Sequence, residues 1–156
     1  MSATVEFFDR TMMEAMALLA ETRRYLVDRS ETERKGMPVE HGLAASMESM
    51  RLVARLTQVL AWLLTHRAVH AGEMNLIEAT RPDRRLGGRE LCLNTQGDDD
   101  PGMPEELRAL LARSLALYRR IARLDEQAAQ RAADQLRQNE LTYPGKGVGI
   151  GPTVDS

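Results

Sequence analysis

The chain has 156 residues, 43% hydrophobic and 28% charged, which argues against a disordered protein and predicts one globular domain. Its net charge of −2 disfavours nucleic acid as a partner, because binding to phosphate backbones usually requires a strong basic excess. A single cysteine, Cys92, excludes an intramolecular disulfide and a multi-cysteine zinc site. Neither a secretion signal nor a membrane-spanning apolar run is found, so we expect a cytoplasmic protein that does not span a membrane.

Apolar residues recur every three or four positions over three long stretches, which predicts an all-α protein. We predict an antiparallel three-helix bundle domain over residues 1–140, with helices at about 4–29, 38–72 and 104–138. The first helix is expected to bury one stripe, formed by Val5, Phe8, Met12, Ala15, Leu19, Thr22 and Leu26.

The second predicted helix is apolar over more than half of its circumference, which indicates neighbours on two sides. One seam contains small residues that would let a partner helix approach closely, so we expect tight packing in the bundle by Met47, Met50, Ala54, Thr57, Ala61, Leu64 and Ala68. The opposite side carries a polar wedge, formed by Glu48, Arg51, Arg55, Gln58, His66 and the only tryptophan of the chain, Trp62.

A long connection follows the second helix. The sequence "MNLIEA" predicts a short helix with Asn75 as its N-cap. The next segment combines glycines, prolines and three consecutive aspartates, so we predict a long surface loop at residues 81–103, which is either mobile or functional. Leu91, Cys92 and Leu93 are expected to anchor this loop against the bundle.

The third predicted helix begins with Pro104 and two glutamates, a typical helix start. Its expected buried stripe consists of Leu107, Leu111, Ser114, Tyr118, Ile121, Asp125, Ala128 and Ala132. From about Ala128 the stripe is small and polar, so we expect the helix to run past the bundle or to pair with another chain. Glycines and prolines near the end predict a flexible tail over residues 141–156.

Few residues indicate catalysis, and we predict neither enzymatic activity nor a cofactor. No phosphate-binding loop or nucleophile elbow occurs in the sequence. His66, His70 and Glu73 have the spacing of three metal ligands, but two solvated histidines near a helix end are the simpler interpretation. Cys92 lies between two leucines, which favours a small buried side chain over a reactive thiol. The methionines are interpreted mainly as core residues, with an adaptable binding groove as the alternative.

Tryptophan and arginine are enriched at the centres of protein interfaces. The polar wedge therefore has two interpretations. It is either an exposed partner-binding surface made by Arg51, Arg55, Trp62 and His66, or a region where Trp62 folds onto the bundle edge beneath the stem of Arg55. The spacing alone does not separate the two.

One stretch, "ESMRLVARLTQVLAWLLTHRAVHAGEM", resembles the signature of the bacterial regulator-of-CtrA-degradation family, RcdA, and "FFDRTMMEAMALLAETRRYL" is similar to that family's first helix. The resemblance covers about residues 5–80, with weaker support from "LRALLARSLALYRRIARLDE". It implies a non-enzymatic adaptor that helps the ClpXP protease receive a cell-cycle transcription regulator and other protein cargo. It also implies homodimers, a flexible C-terminal tail, and the ClpX unfoldase and accessory adaptor proteins as partners.

Two other functions stay open. The first is a homodimeric helical scaffold without a link to a protease, in which Trp62 fills the interface. The second is a metal-binding bundle that uses His66, His70 and Glu73.

Overall fold

The structure is a computed structural model that describes residues 3–144. All regular secondary structure in this range is helical, which confirms the all-α prediction. No helix among these residues is long and apolar enough to cross a membrane. In chain order the elements are α1 (Ala3–Asp28), α2 (Ser30–Lys35), α3 (Val39–His70), α4 (Leu76–Ala79), a 3₁₀ turn (Pro82–Arg84), α5 (Arg89–Cys92) and α6 (Glu105–Thr142).

Local sequence explains several helix ends. Prolines at positions 38 and 104 directly precede α3 and α6, where a missing N–H leaves no hydrogen bond unmade. The predicted N-cap of α4 is present: Asn75 Oδ1 accepts from the backbone N of Glu78 at 2.8 Å, and the Glu78 carboxylate accepts from the backbone N of Asn75. Gly72 follows α3 with a φ of 75°, a backbone conformation that favours glycine.

The helix α6 runs parallel to α3. Arg55 Nη1 donates to the carbonyl of Leu111, and Trp62 Nε1 donates to Asp125 Oδ1, so the contacting positions rise together along both helices. The prediction of an antiparallel bundle is therefore wrong for this pair. By contrast, α1 is antiparallel to α6, as its ion pairs show: Glu14–Arg120, Glu21–Arg113 and Arg29–Glu106.

Parallel neighbours require a long connection, because the chain must return along α3 before α6 begins. At a rise of about 1.5 Å per residue, the 32 residues of α3 are roughly 48 Å long. Residues 71–104, here called the strap, cover this distance, and their contacts with α3 run in reverse order. Gly87 N donates to Gln58 Oε1 at 3.1 Å, and the Cys92 carbonyl then accepts from Arg55 Nε at 2.7 Å.

The strap contains more structure than the predicted surface loop. It includes the 3₁₀ turn and α5, and it buries Leu86, Cys92 and Met103. The predicted three-residue anchor is reduced to Cys92, because Leu91 and Leu93 on either side of it are 49% and 39% exposed. Burial raises the pKa of the Cys92 thiol, which disfavours the reactive thiolate.

The buried stripe of α6 follows the prediction at every position from Leu107 to Ala132. The helix therefore stays packed beyond Ala128, which corrects the expectation that it leaves the bundle there. Exposure is continuous only over residues 134–144. Of the predicted tail, residues 141 and 142 belong to α6, and residues 145–156 lie outside the described part of the chain.

The helix α3 is turned the opposite way from the prediction. Met50 and Leu64, which were expected inside the bundle, are 72% and 58% exposed, whereas Arg51, Arg55 and Trp62 are buried. Both sides of α3 carry enough apolar side chains to pack, so hydrophobic periodicity does not decide between them. The strap determines which side of α3 is buried, because the strap backbone needs polar hydrogen-bond partners that only the wedge supplies.

Candidate interaction surfaces around the central helix

Arg55 is completely buried, and no carboxylate lies within ion-pair distance of it among residues 3–144. Its guanidinium instead donates to three backbone carbonyls: Nε to Cys92 at 2.7 Å, Nη1 to Leu111 at 3.0 Å and Nη2 to Asn94 at 3.1 Å. Two of these carbonyls lie at or after the end of α5, where the helix supplies no donors. Arg55 thus fastens the strap to α3 and α6.

Arg51 extends this attachment by one turn. Its Nε donates to the carbonyl of Leu91 at 3.0 Å, and its Nη1 pairs with the buried carboxylate of Glu48. The strap passes close to that carboxylate: a Cβ added at Gly97 would lie 2.5 Å from Glu48 Cδ. Any other residue at position 97 would force the Glu48 side chain to move.

Trp62 is 3% exposed and contacts the buried carboxylate of Asp125, which the sequence analysis predicted only as a member of the buried stripe of α6. Its Nε1 donates to Asp125 Oδ1 at 3.0 Å, and Asp125 also accepts from Arg85 Nε at 2.8 Å and from Arg89 Nη2 at 3.2 Å. The backbone N of Leu86 completes the set. One carboxylate therefore joins α3, α6 and the strap. Two features of the sequence could have indicated this contact: the arginine cluster in the strap and the acidic residue within the apolar stripe of α6.

His66 is 3% exposed, and its ring stacks on Trp62 with centroids 3.9 Å apart. Burial lowers its pKa to about 4, and its Nε2 has no hydrogen-bond partner. His70 and Glu73 are exposed instead, with the His70 ring 4.7 Å from that of Phe8. Within residues 3–144, no three His, Cys, Asp or Glu side chains are grouped closely enough to hold a metal ion.

The structure brings the predicted partner-binding residues together, but not on the surface. Arg51, Arg55, Trp62 and His66 lie on one side of α3 and are all less than 7% exposed. The expectation of a solvent-facing wedge is wrong, and Trp62 is folded inwards onto Asp125 rather than beneath Arg55. A role of these four residues in binding a partner stays a prediction.

An exposed apolar surface lies on the outer side of α1 and α3. We call it the outer face, and it consists of Met16, Val27, Leu43, Met47, Met50, Val53 and Leu64. Several exposed apolar side chains on one side of a folded chain are typical of protein interaction sites. Met13, Met16, Met47 and Met50 are all more than half exposed. The core interpretation is therefore wrong for these four, and the alternative of an adaptable surface fits them.

A groove of about 530 Å³ deepens the outer face where α1, α2 and α3 meet. Leu26, Met50 and Val53 supply its apolar lining. Arg34 lies at its edge, donates to Ser46 Oγ at 2.9 Å, and has no carboxylate within 4.0 Å in the described chain. The groove thus combines apolar contact area with an uncompensated positive charge.

The fold and these surfaces define a helical-bundle protein with a strap across its central helix and an exposed apolar face. Residues 1–143 match a family model described as "Protein of unknown function (DUF1465)". The chain is also similar to the crystal structure of RcdA from Caulobacter crescentus CB15, at 36% identity and a TM-score of 0.61. This similarity covers 78% of the chain and 89% of the RcdA chain.

The chain therefore belongs to the DUF1465 family, an RcdA-like family, which confirms the resemblance seen in the sequence. A search of curated proteins returned no match.

Proposed function

We propose that this chain is a non-enzymatic adaptor that delivers a cell-cycle transcription regulator and other protein cargo to the ClpXP protease. The observation that carries the proposal is the outer face, which is exposed and apolar in a chain related to RcdA at 36% identity. An adaptor needs a surface that binds other proteins, and exposed methionines adapt to partners of different shape.

In this proposal the outer face binds cargo, a response-regulator-type transcription factor, while the buried wedge acts indirectly. Arg51, Arg55, Trp62 and His66 keep the strap and α3 in fixed positions, so that the outer face keeps its shape. ClpX and accessory adaptor proteins are the further partners. The family relationship supports the bacterial cytoplasm as the place of action.

The proposal is tested by measuring how fast ClpXP degrades a response-regulator cargo in the presence of ATP, the accessory adaptors and this chain. We expect the intact chain to accelerate degradation. We expect the double substitution Met50→Glu, Val53→Glu to abolish that acceleration, because charge on the outer face opposes apolar docking. Ala112→Glu, Ala116→Glu on the exposed side of α6 is the matched control and is expected to deliver cargo normally.

Degradation that is equally fast with and without the intact chain would rule out the adaptor function. Normal delivery by the Met50, Val53 double variant would instead place cargo binding elsewhere on the molecule.

The outer face also favours a second candidate, a homodimeric helical scaffold without a protease link. Two copies of an apolar surface bury each other without requiring a separate partner. Light scattering across a dilution series is expected to show a dimer that dissociates on dilution, and Met50→Glu, Val53→Glu is expected to shift the equilibrium towards monomer. A chain that is monomeric at every concentration removes this candidate.

A further inference from the structure

A second cavity lies at the end of the bundle, away from the outer-face groove. It has a volume of about 520 Å³ and is bounded by the start of α1, the end of α3, the start of α4 and the second half of α6. Its walls are largely aromatic: the Phe8 ring lies 6.1 Å from that of Trp62 and 4.7 Å from that of His70, measured between centroids. Flat apolar walls of this kind suit an aromatic or large apolar group.

Two residues of the polar wedge, Trp62 and His66, line this cavity. The Nε2 nitrogen of His66 has no hydrogen-bond partner. Trp62 beside it already donates to Asp125. A neutral imidazole has one donor and one acceptor nitrogen, and a buried polar atom without a partner is unusual in a folded protein. The Nε2 atom of His66 therefore has hydrogen-bonding capacity that the described chain does not use, but the atom is closed to solvent and lies behind the cavity wall, so the ligand is not held through it.

Arg131 supplies the charge of the cavity. It lines the cavity from α6, is exposed, and pairs with no carboxylate within 4.0 Å among residues 3–144. Gln127 and Gln135 lie on the same stretch of helix, and none of the described lining residues is acidic. A cation without a local partner, next to neutral amides, favours a negatively charged ligand group.

We propose that this cavity binds a carboxylate attached to an aromatic or large apolar group, as found at the C-terminal residue of a peptide or in a free aromatic acid. The ring packs against Phe8 and Trp62, and the carboxylate pairs with Arg131. This site is separate from the outer face, so the inference does not rest on the adaptor function.

The test uses Trp62 fluorescence, since Trp62 is the only tryptophan in the chain and lines the cavity. The probe is N-acetyl-phenylalanine, whose ring does not emit when tryptophan is excited selectively. We expect a saturable change in emission with the acid and at least about tenfold weaker binding of N-acetyl-phenylalanine amide, which lacks the charge.

Arg131→Gln is expected to weaken binding of the acid about tenfold and to leave binding of the amide unchanged. Arg123→Gln, an exposed arginine of the same helix outside the cavity, is the matched control and is expected to bind like the unmodified chain. Because Arg131 is exposed, its replacement is not expected to affect folding, which circular dichroism checks.

A peptide with a C-terminal phenylalanine identifies the source of the ligand. Tighter binding than that of N-acetyl-phenylalanine indicates a protein C-terminus, and equal binding indicates a free aromatic acid; both results support the site. No saturable response to either probe, or equal affinity for the acid and the amide, overturns the proposal.

Discussion

A buried arginine is stable only when its donors are satisfied, and Arg55 meets that requirement with backbone carbonyls. An arginine within a helix is usually a sign of solvent exposure. Arg51, Arg55 and Gln58 show why this inference failed here: each bonds with backbone atoms of the strap, which no residue pattern within α3 reveals. The Asn75 cap, by contrast, was recognisable from local sequence, because its capping partner is three residues away.

Replacing Arg55 by methionine is expected to destabilise the chain by about 3 kcal/mol, because three buried carbonyls lose a charged donor. Urea unfolding followed by circular dichroism measures this. Arg123→Met, at an exposed position of α6, is the control and is expected to change stability by less than about 0.5 kcal/mol. Equal stability of the two variants would show that Arg55 does not fasten the strap.

His66 predicts a pH dependence of stability. Its pKa is about 4 in the folded chain, below its ordinary value of 6.5, so the unfolded chain binds more protons between these two pH values. The neutral imidazole therefore favours folding above about pH 6.5, and this stability, up to about 3 kcal/mol, is lost as the pH falls towards 4.

Urea unfolding of the unmodified chain and of His66→Phe at a series of pH values isolates the histidine effect from that of titrating carboxylates. We expect the loss of stability between pH 6.5 and 4 to be smaller in His66→Phe. Identical pH profiles would mean that His66 is not buried in its neutral form.

At the scale of elements, the three long helices could be predicted from the sequence, whereas the path of the strap could not. The three long helices were predictable because each repeats apolar residues over many turns, and the α6 stripe was assigned correctly through Ala132. The parallel direction of α3 and α6 was not, because it depends on the path of the strap rather than on helix periodicity. The position of the outer face could not be predicted for the same reason: the strap buries the wedge and leaves the Met50 side of α3 exposed.

Asp125 joins the strap to α3 and α6. Asp125→Asn is expected to weaken its pairing with Arg85 and Arg89, so hydrogen exchange should accelerate in residues 82–94 and stay unchanged in α1. Glu126→Gln is the matched control: Glu126 pairs with the same two arginines but is exposed, so a smaller effect is expected. Equal effects of the two substitutions would assign the strap attachment to surface ion pairs.

For the whole molecule, the arrangement divides α3 into two sides with different tasks. The wedge side fixes the strap, and the other side carries the exposed outer face, which we propose as the partner-binding surface. Because Met50 is already 72% exposed, Met50→Glu is expected to change the free energy of unfolding by less than about 0.5 kcal/mol while it impairs binding. Urea unfolding of this variant separates a binding defect from a folding defect, and a large loss of stability would mean that the outer face is part of the core.

The most direct test of this division is hydrogen–deuterium exchange of the intact chain, alone and with a response-regulator cargo and ClpX. We expect partners to slow exchange in the segments of α1 and α3 that carry the outer face and to leave the strap, residues 71–104, unchanged. Faster exchange in the strap together with unchanged outer-face segments would contradict this expectation, because partners would then reach α3 through the wedge that holds Arg55 and Trp62.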